Sequence, residues 1–171
     1  LLADPALKPA PADMAAAQAA ASDLLRLRFS TPLFRLGEAG LITEKVTFPG
    51  SGADAAPGVI VMHVDDTVGA DVDPALDGLL VVFNASPESV TQTVDGLVGR
   101  ELALSSVQAD GSDAVVRETT WDAATGQVTV PARTVAVLTE TQVAGPTEPT
   151  EPPTDGVDGA VVTLSASTVR A

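Results

Sequence analysis

Two hydrophobic periods divide the chain. From Met14 to Arg28 the apolar positions Met14, Ala17, Ala21, Leu24 and Leu25, closed by Arg28, recur at spacings of three and four, which is one face of a helix. Asp13 stands where it would cap the helix start. Arg26 and Arg28 suit the negative end of the helix dipole. Ser30-Thr31-Pro32 stops the run, because the residue before a proline avoids helical angles. Ahead of the helix, Leu1–Ala12 holds Pro5, Pro9 and Pro11 and reads as an extended lead-in.

From Leu33 the spacing changes to that of strands. Ile42–Phe48, Val59–Val64, Leu79–Phe83, Ser89–Val94, Glu101–Val107, Val115–Trp121, Gln127–Val130 and Thr134–Thr139 are each expected to be extended. Asp122-Ala123-Ala124-Thr125-Gly126 lies between two of them. Its glycine can take the left-handed angles of a short hairpin loop. Short strands with a turn signal about every ten residues predict a mainly β fold, an antiparallel β-sandwich preceded by one α-helix. After Glu140 the composition shifts. Gly145–Asp155 is rich in Pro, Thr and Glu and reads as an extended linker, and Ala160–Val169 turns apolar and alternating again. The expected organisation is a lead-in and helix (1–32), a complete sandwich (33–140), a linker (141–159) and the opening strand of a further module (160–171).

Composition narrows this picture. Hydrophobic residues make up 45% of the 171 positions but aromatics only 3%, so the core must be built from Val, Leu, Ala and Ile. A formal net charge of −14 repels phosphate backbones and anionic headgroups, which argues against nucleic acid and acidic membranes as partners. Without cysteine there is no disulfide framework, thiolate metal site or cysteine nucleophile. No apolar run is long enough to insert in a membrane.

Little in the chain points to chemistry. Asp65, Asp66, Asp71, Asp73 and Asp77 form its densest acidic stretch, and Asp71, Asp73 and Asp77 are the candidates for a calcium ion. Set on a calcium-loop template, Asp71 and Asp73 leave Ala75 as third ligand, Leu76 where glycine belongs and Val82 where the final glutamate belongs. The default is therefore a solvated acidic loop and no cofactor. His63, in the middle of a strand, reads as an edge or surface residue. Trp121, the one tryptophan, is the single candidate for stacking on a sugar ring, weighed against packing at the end of the sandwich. Asn84-Ala85-Ser86 formally matches a glycosylation acceptor but is followed by Pro87. With one histidine and no tyrosine, no pair of carboxylates has acid–base company, and no catalytic residue is assigned.

Several longer stretches carry more. Leu24-Leu25-Arg26-Leu27-Arg28-Phe29-Ser30-Thr31-Pro32-Leu33-Phe34-Arg35-Leu36-Gly37 resembles the end of the last barrel helix of pullulanase-type enzymes and the run into their C-terminal domain. Leu79-Leu80-Val81-Val82-Phe83-Asn84-Ala85-Ser86-Pro87-Glu88 is similar to a strand and turn of that family. Val130-Pro131-Ala132-Arg133-Thr134-Val135-Ala136-Val137-Leu138 is similar to its final strand. Gly58–Met62 and Asp73–Gly78 fall in the matching order. Together they resemble the pullulanase, or α-dextrin endo-1,6-α-glucosidase, branch of the α-amylase superfamily over about Leu24 to Leu138.

The resemblance implies a parent with a (β/α)₈ catalytic barrel that hydrolyses α-1,6 branch points in pullulan, starch or limit dextrins. Its catalytic carboxylates would belong to barrel strands before Leu1. This chain would then be a non-catalytic C-terminal sandwich that packs on the barrel and stabilises it, in an extracellular or cell-surface parent. An α-glucan would be the parent's substrate. The helix would expose an apolar face without the barrel, so folding back, fraying or association through that orphan helix is expected of the isolated chain. The competing readings are a starch-binding module and an immunoglobulin-like spacer of a bacterial surface protein. The scarcity of aromatics opposes the first, and the helix with its Thr31–Gly37 run opposes the second.

Overall fold

The computed structural model describes Asp4, residues 7–53 and residues 55–143. The expected module at 160–171 and all but the first positions of the expected linker lie outside the described residues. The chain runs α1 (Pro11–Phe29), a 3-10 turn (Pro32–Arg35), α2 (Ala39–Lys45), β1 (Val46–Thr47), β2 (Val59–Asp65) and β3 (Leu76–Asn84). It continues through β4 (Val90–Thr93), β5 (Leu102–Leu104), α3 (Ser106–Ala109), a 3-10 turn (Val116–Glu118), β6 (Thr120–Asp122), β7 (Gln127–Val130) and β8 (Thr134–Thr141).

Two antiparallel sheets result. One has the order β1-β2-β3-β8-β5 and the other β4-β7-β6. The space between them is filled by Val61, Leu80, Val82, Ala136 and Leu138 from the large sheet. Val94, Leu97, Val128 and Val130 meet them from the β4–β7 side. On the outer face of the large sheet Val64, Leu79, Val81 and Val137 pack under Leu27 and Leu33. Leu79–Val82 of central β3 is thus covered on both faces, which is why it is apolar without alternation. Asp122 and Gln127 close the β6–β7 hairpin, with Gly126 at φ +66° and the Asp122 carboxylate accepting from Ala124 N and Thr125 Oγ1.

β5 pairs with β8 only from Leu138 to Glu140. Lower down, the Gln108 side-chain amide takes the place of a strand, donating to Val135 O at 2.8 Å and accepting from Val137 N at 2.7 Å.

Five local expectations are corrected. Ile42–Phe48 is not one strand: α2 continues to Lys45 and only Val46–Thr47 pair with β2. The β-branched Ile42-Thr43 pair suggests extension, but helix is what carries Lys45 inward to a buried partner. The extended reading of Val115–Trp121 yields to a 3-10 turn before β6, and Glu101–Val107 is strand only at its centre. Asp13 does not cap α1. It is the third residue of the helix, and its carboxylate reaches back to Ala10 N at 2.9 Å, while Pro11 opens the helix. The stripe of α1 that faces the domain is Ala19, Asp23 and Leu27, not the apolar one read from the spacing.

Candidate functional site

The apolar stripe of α1 is left without cover. Leu24 and Phe29 are each 63% exposed, and Met14 and Leu25 are exposed with them. Beside Leu24 the outer face of the large sheet continues the same surface. Ile60, Phe83 and Val135 are in register across β2, β3 and β8 and all remain exposed. Between them a groove of about 190 Å³ is lined by Leu24, Arg28, Phe34, Val81, Phe83 and Val135. Arg35 stacks over the Phe29 ring at 5.0 Å. The surface is therefore apolar with arginines at its rim, on a chain that is otherwise strongly acidic. Contiguous exposed apolar surface of this kind marks a contact site.

The helix is held in place from two sides. The Asp23 carboxylate accepts from Ser112 Oγ at 2.6 Å and Ser112 N at 2.7 Å, and it pairs with Arg26. The Ser112 hydroxyl and N–H, followed by Arg26, hold that carboxyl down at about 2. At the other end Thr31 Oγ1 donates to Asp73 Oδ2 at 2.6 Å. Asp73 N in turn donates to Asp66 at 2.8 Å, and Asp66 lies 2.9 Å from Lys45 Nζ. Both members of that ion pair are sealed from solvent (side chains 0% and 1% exposed), and Lys45 Nζ also donates to Val68 O.

This network revises the acidic stretch. Asp66 and Asp73 are buried structural carboxylates rather than parts of a solvated loop. Asp73 is committed to Thr31 and to Ala75 N, Asp71 is exposed and Asp77 half-buried. Among the described residues no three His, Asp or Glu side chains converge as metal ligands would. Nor is His63 an edge residue. It points between the sheets and is 8% exposed, with burial pushing its imidazole pKa down. Trp121 is half-buried against the core and its Nε1 donates to Arg100 O at 2.9 Å. Nothing in the spacing of the sequence announces the Lys45–Asp66 pair or the Thr31–Asp73 bond, whose partners lie far apart along the chain.

Comparison with known proteins gives this arrangement a family. Residues 1–141 match the family model described as alpha-1,6-glucosidases, pullulanase-type, C-terminal. The chain belongs to that family. The pullulanase 1 (chloroplastic) of Arabidopsis thaliana is 37% identical over 146 residues, 82% of this chain and 15% of that protein. The pullulanase of Klebsiella pneumoniae is 42% identical over 118 residues, 68% of this chain and 11% of that protein. Among solved structures, PulA from Klebsiella oxytoca superposes with a TM-score of 0.71 at 38% identity, covering 80% of this chain and 13% of that one. The chain thus spans less than a sixth of the length of these relatives.

The stretches that resemble the pullulanase-type domain now have structural reasons. Thr31-Pro32 is the anchor of α1 on the Asp73 loop. Asn84, at the end of β3, is 2% exposed, and its amide knits the β3–β4 turn to the β7–β8 connection. Nδ2 donates to Glu88 O and Pro131 O at 2.8 Å and to Val130 O at 3.2 Å, while Oδ1 accepts from Ser86 N and Oγ. With every polar atom so engaged, Asn84 is no glycosylation acceptor.

Proposed function

We propose that this chain is the non-catalytic C-terminal sandwich of a secreted pullulanase-type debranching hydrolase, and that it stabilises the catalytic barrel by packing against it. The observation that carries the reading is the uncovered apolar surface formed by α1 and the Ile60–Phe83–Val135 row. A domain with its core already filled gains nothing from exposing these side chains. Covering them gains roughly 25 cal/mol for each Å² of apolar area removed from water. The family's description as alpha-1,6-glucosidases and the relatives' name, pullulanase, support a parent that acts on α-1,6-glucosidic branch linkages of pullulan, starch or limit dextrins. Extracellular or cell-surface placement belongs to the same reading and is checked by fractionating the parent's host.

The test uses the full-length parent and this chain side by side. Leu24→Ser, Phe29→Ser and Phe83→Ser together should lower the parent's melting temperature by several degrees and leave its pH optimum unchanged. In this chain alone the Leu24 and Phe29 changes should each alter stability by no more than about 0.5 kcal/mol, while the cost of Phe83→Ser, at a side chain 39% exposed on β3, is measured in both proteins and compared. This chain alone should release no reducing sugar from pullulan. An unchanged melting temperature in the parent would sink the packing role, and hydrolysis by the chain alone would sink the non-catalytic one.

A further inference from the structure

The inner face of the large sheet ends in an in-register row of Asp65, Gly78, Glu140 and Leu102 on β2, β3, β8 and β5. Two carboxylates therefore stand on either side of a position that carries no side chain. A Cβ at Gly78 would lie 2.6 Å from Val64 O and 3.5 Å from His63 Nε2. The guanidinium of Arg100 spans the gap instead, 3.6 Å from Asp65 Oδ2 and 2.5 Å from Glu140 Oε2. The Arg100 carbonyl accepts the indole N–H of Trp121, which belongs to β6 of the small sheet. One residue thus ties β2 and β8 of one sheet to β6 of the other. His63 sits one row further in. Its strand partners, Thr47 on β1 and Leu80 on β3, carry no charge, so the charges acting on its ring are Asp65 and Arg100.

We propose that His63, Asp65, Arg100 and Glu140 form an acid-released clasp between the two sheets. A proton on His63 creates a second cation beside Arg100 that competes for Asp65, and the Arg100 segment, with Trp121, comes away from the large sheet. This device lies outside the packing role proposed above and does not depend on it. The direction of the pH response follows from linkage. Burial holds His63 below its ordinary 6.5, an effect Asp65 opposes and Arg100 reinforces. The unfolded chain is protonated first, so stability present above pH 6.5 is lost as pH falls from 6.5 to the folded value. For Asp65, burial raises the pKa but is outweighed by two hydrogen bonds from Thr67 and by Arg100, leaving it below 3.8. Its contribution is lost only at still lower pH, so the histidine step stands alone in mild acid.

Trp121 is the chain's only tryptophan, so it reports the clasp directly. In the full 171-residue chain, indole N–H exchange, corrected for its intrinsic pH dependence, is followed by NMR from neutral to mildly acid pH together with backbone amides of β3. The expected result is loss of indole protection as pH falls, while the β3 amides keep theirs. His63→Gln should abolish the acid step and retain protection at neutral pH. The His63 ring protons of the unaltered chain must titrate at the same midpoint as the indole loss, a check that needs no variant. Constant indole protection in the unaltered chain, a persisting step in His63→Gln, mismatched midpoints or simultaneous loss at β3 would each overturn the clasp.

Discussion

Asn84 offers the sharpest test of how the two sheets are joined. Its Nδ2 serves three carbonyls and its Oδ1 two donors of Ser86, all at a corner where the side chain is closed to water. Asn84→Ala removes both halves of the amide. A typical internal hydrogen bond contributes about 1 kcal/mol net, and a buried carbonyl left without a donor costs about 1–3 kcal/mol. The Pro131 carbonyl is orphaned, while Val130 O keeps the Ser89 hydroxyl and Glu88 O keeps that of Ser86; with the amide's other bonds lost as well, the expected loss is about 3 kcal/mol. At a urea slope of about 2 kcal/mol per M, the unfolding midpoint should fall by about 1.5 M. Asn84→Asp is the discriminating partner, because it keeps the shape and the Ser86 bonds but turns an oxygen toward three carbonyl oxygens. At neutral pH it should be less stable than Asn84→Ala despite being nearly isosteric. The introduced carboxyl gains a donor when protonated, so its folded pKa is raised and stability should recover as pH falls through that value. Equilibrium urea unfolding at neutral and mildly acid pH measures all of this. An aspartate variant as stable as the parent at neutral pH would refute the corner as drawn.

Three further changes probe other parts of the same frame. Lys45→Met should cost about 3–5 kcal/mol in thermal or urea unfolding, because it leaves the sealed Asp66 carboxylate without its cation. Gly78→Ala should cost about 1–3 kcal/mol or more, since its Cβ meets the Val64 carbonyl of the paired strand and only a backbone shift relieves it. Asp23 should titrate at about 2 by NMR, and Ser112→Ala should move it up toward 3.8. Its contribution to anchoring α1 is then present above 3.8 and lost as pH falls through about 2.

Elements whose environment is uniform along their length were legible from residue types. Leu79–Val82 of β3 and Ala136–Leu138 of β8 are apolar because both faces are covered there, and Gln127–Val130 coincides with its strand. The word-like runs at Leu24–Gly37, Leu79–Glu88 and Val130–Leu138 carried the family, and the two-sheet sandwich followed. What escaped were contacts between distant residues. Lys45 looks like a solvent-facing end of a strand until Asp66 is brought beside it, and Asp73 looks like loop until Thr31, 42 residues earlier, donates to it. His63 was misread because an apolar strand gives no sign of which face is inward when both are buried. The apolar stripe of α1 was found, but the helix docks through Ala19, Asp23 and Leu27. Its seat is set by the hydrogen bonds of Asp23 and Thr31 together with the burial of Leu27.

The amide of Gln108 has a consequence beyond this domain's own stability. A strand with unpaired backbone groups is a template on which another molecule can lay a strand of its own. β8 would offer such a rim at Val135 and Val137, at the edge of the exposed apolar row. One glutamine side chain, presenting a donor and an acceptor as a peptide group would, stops the sheet from growing there. At its Val135 end, therefore, the exposed apolar row does not run onto an open strand edge.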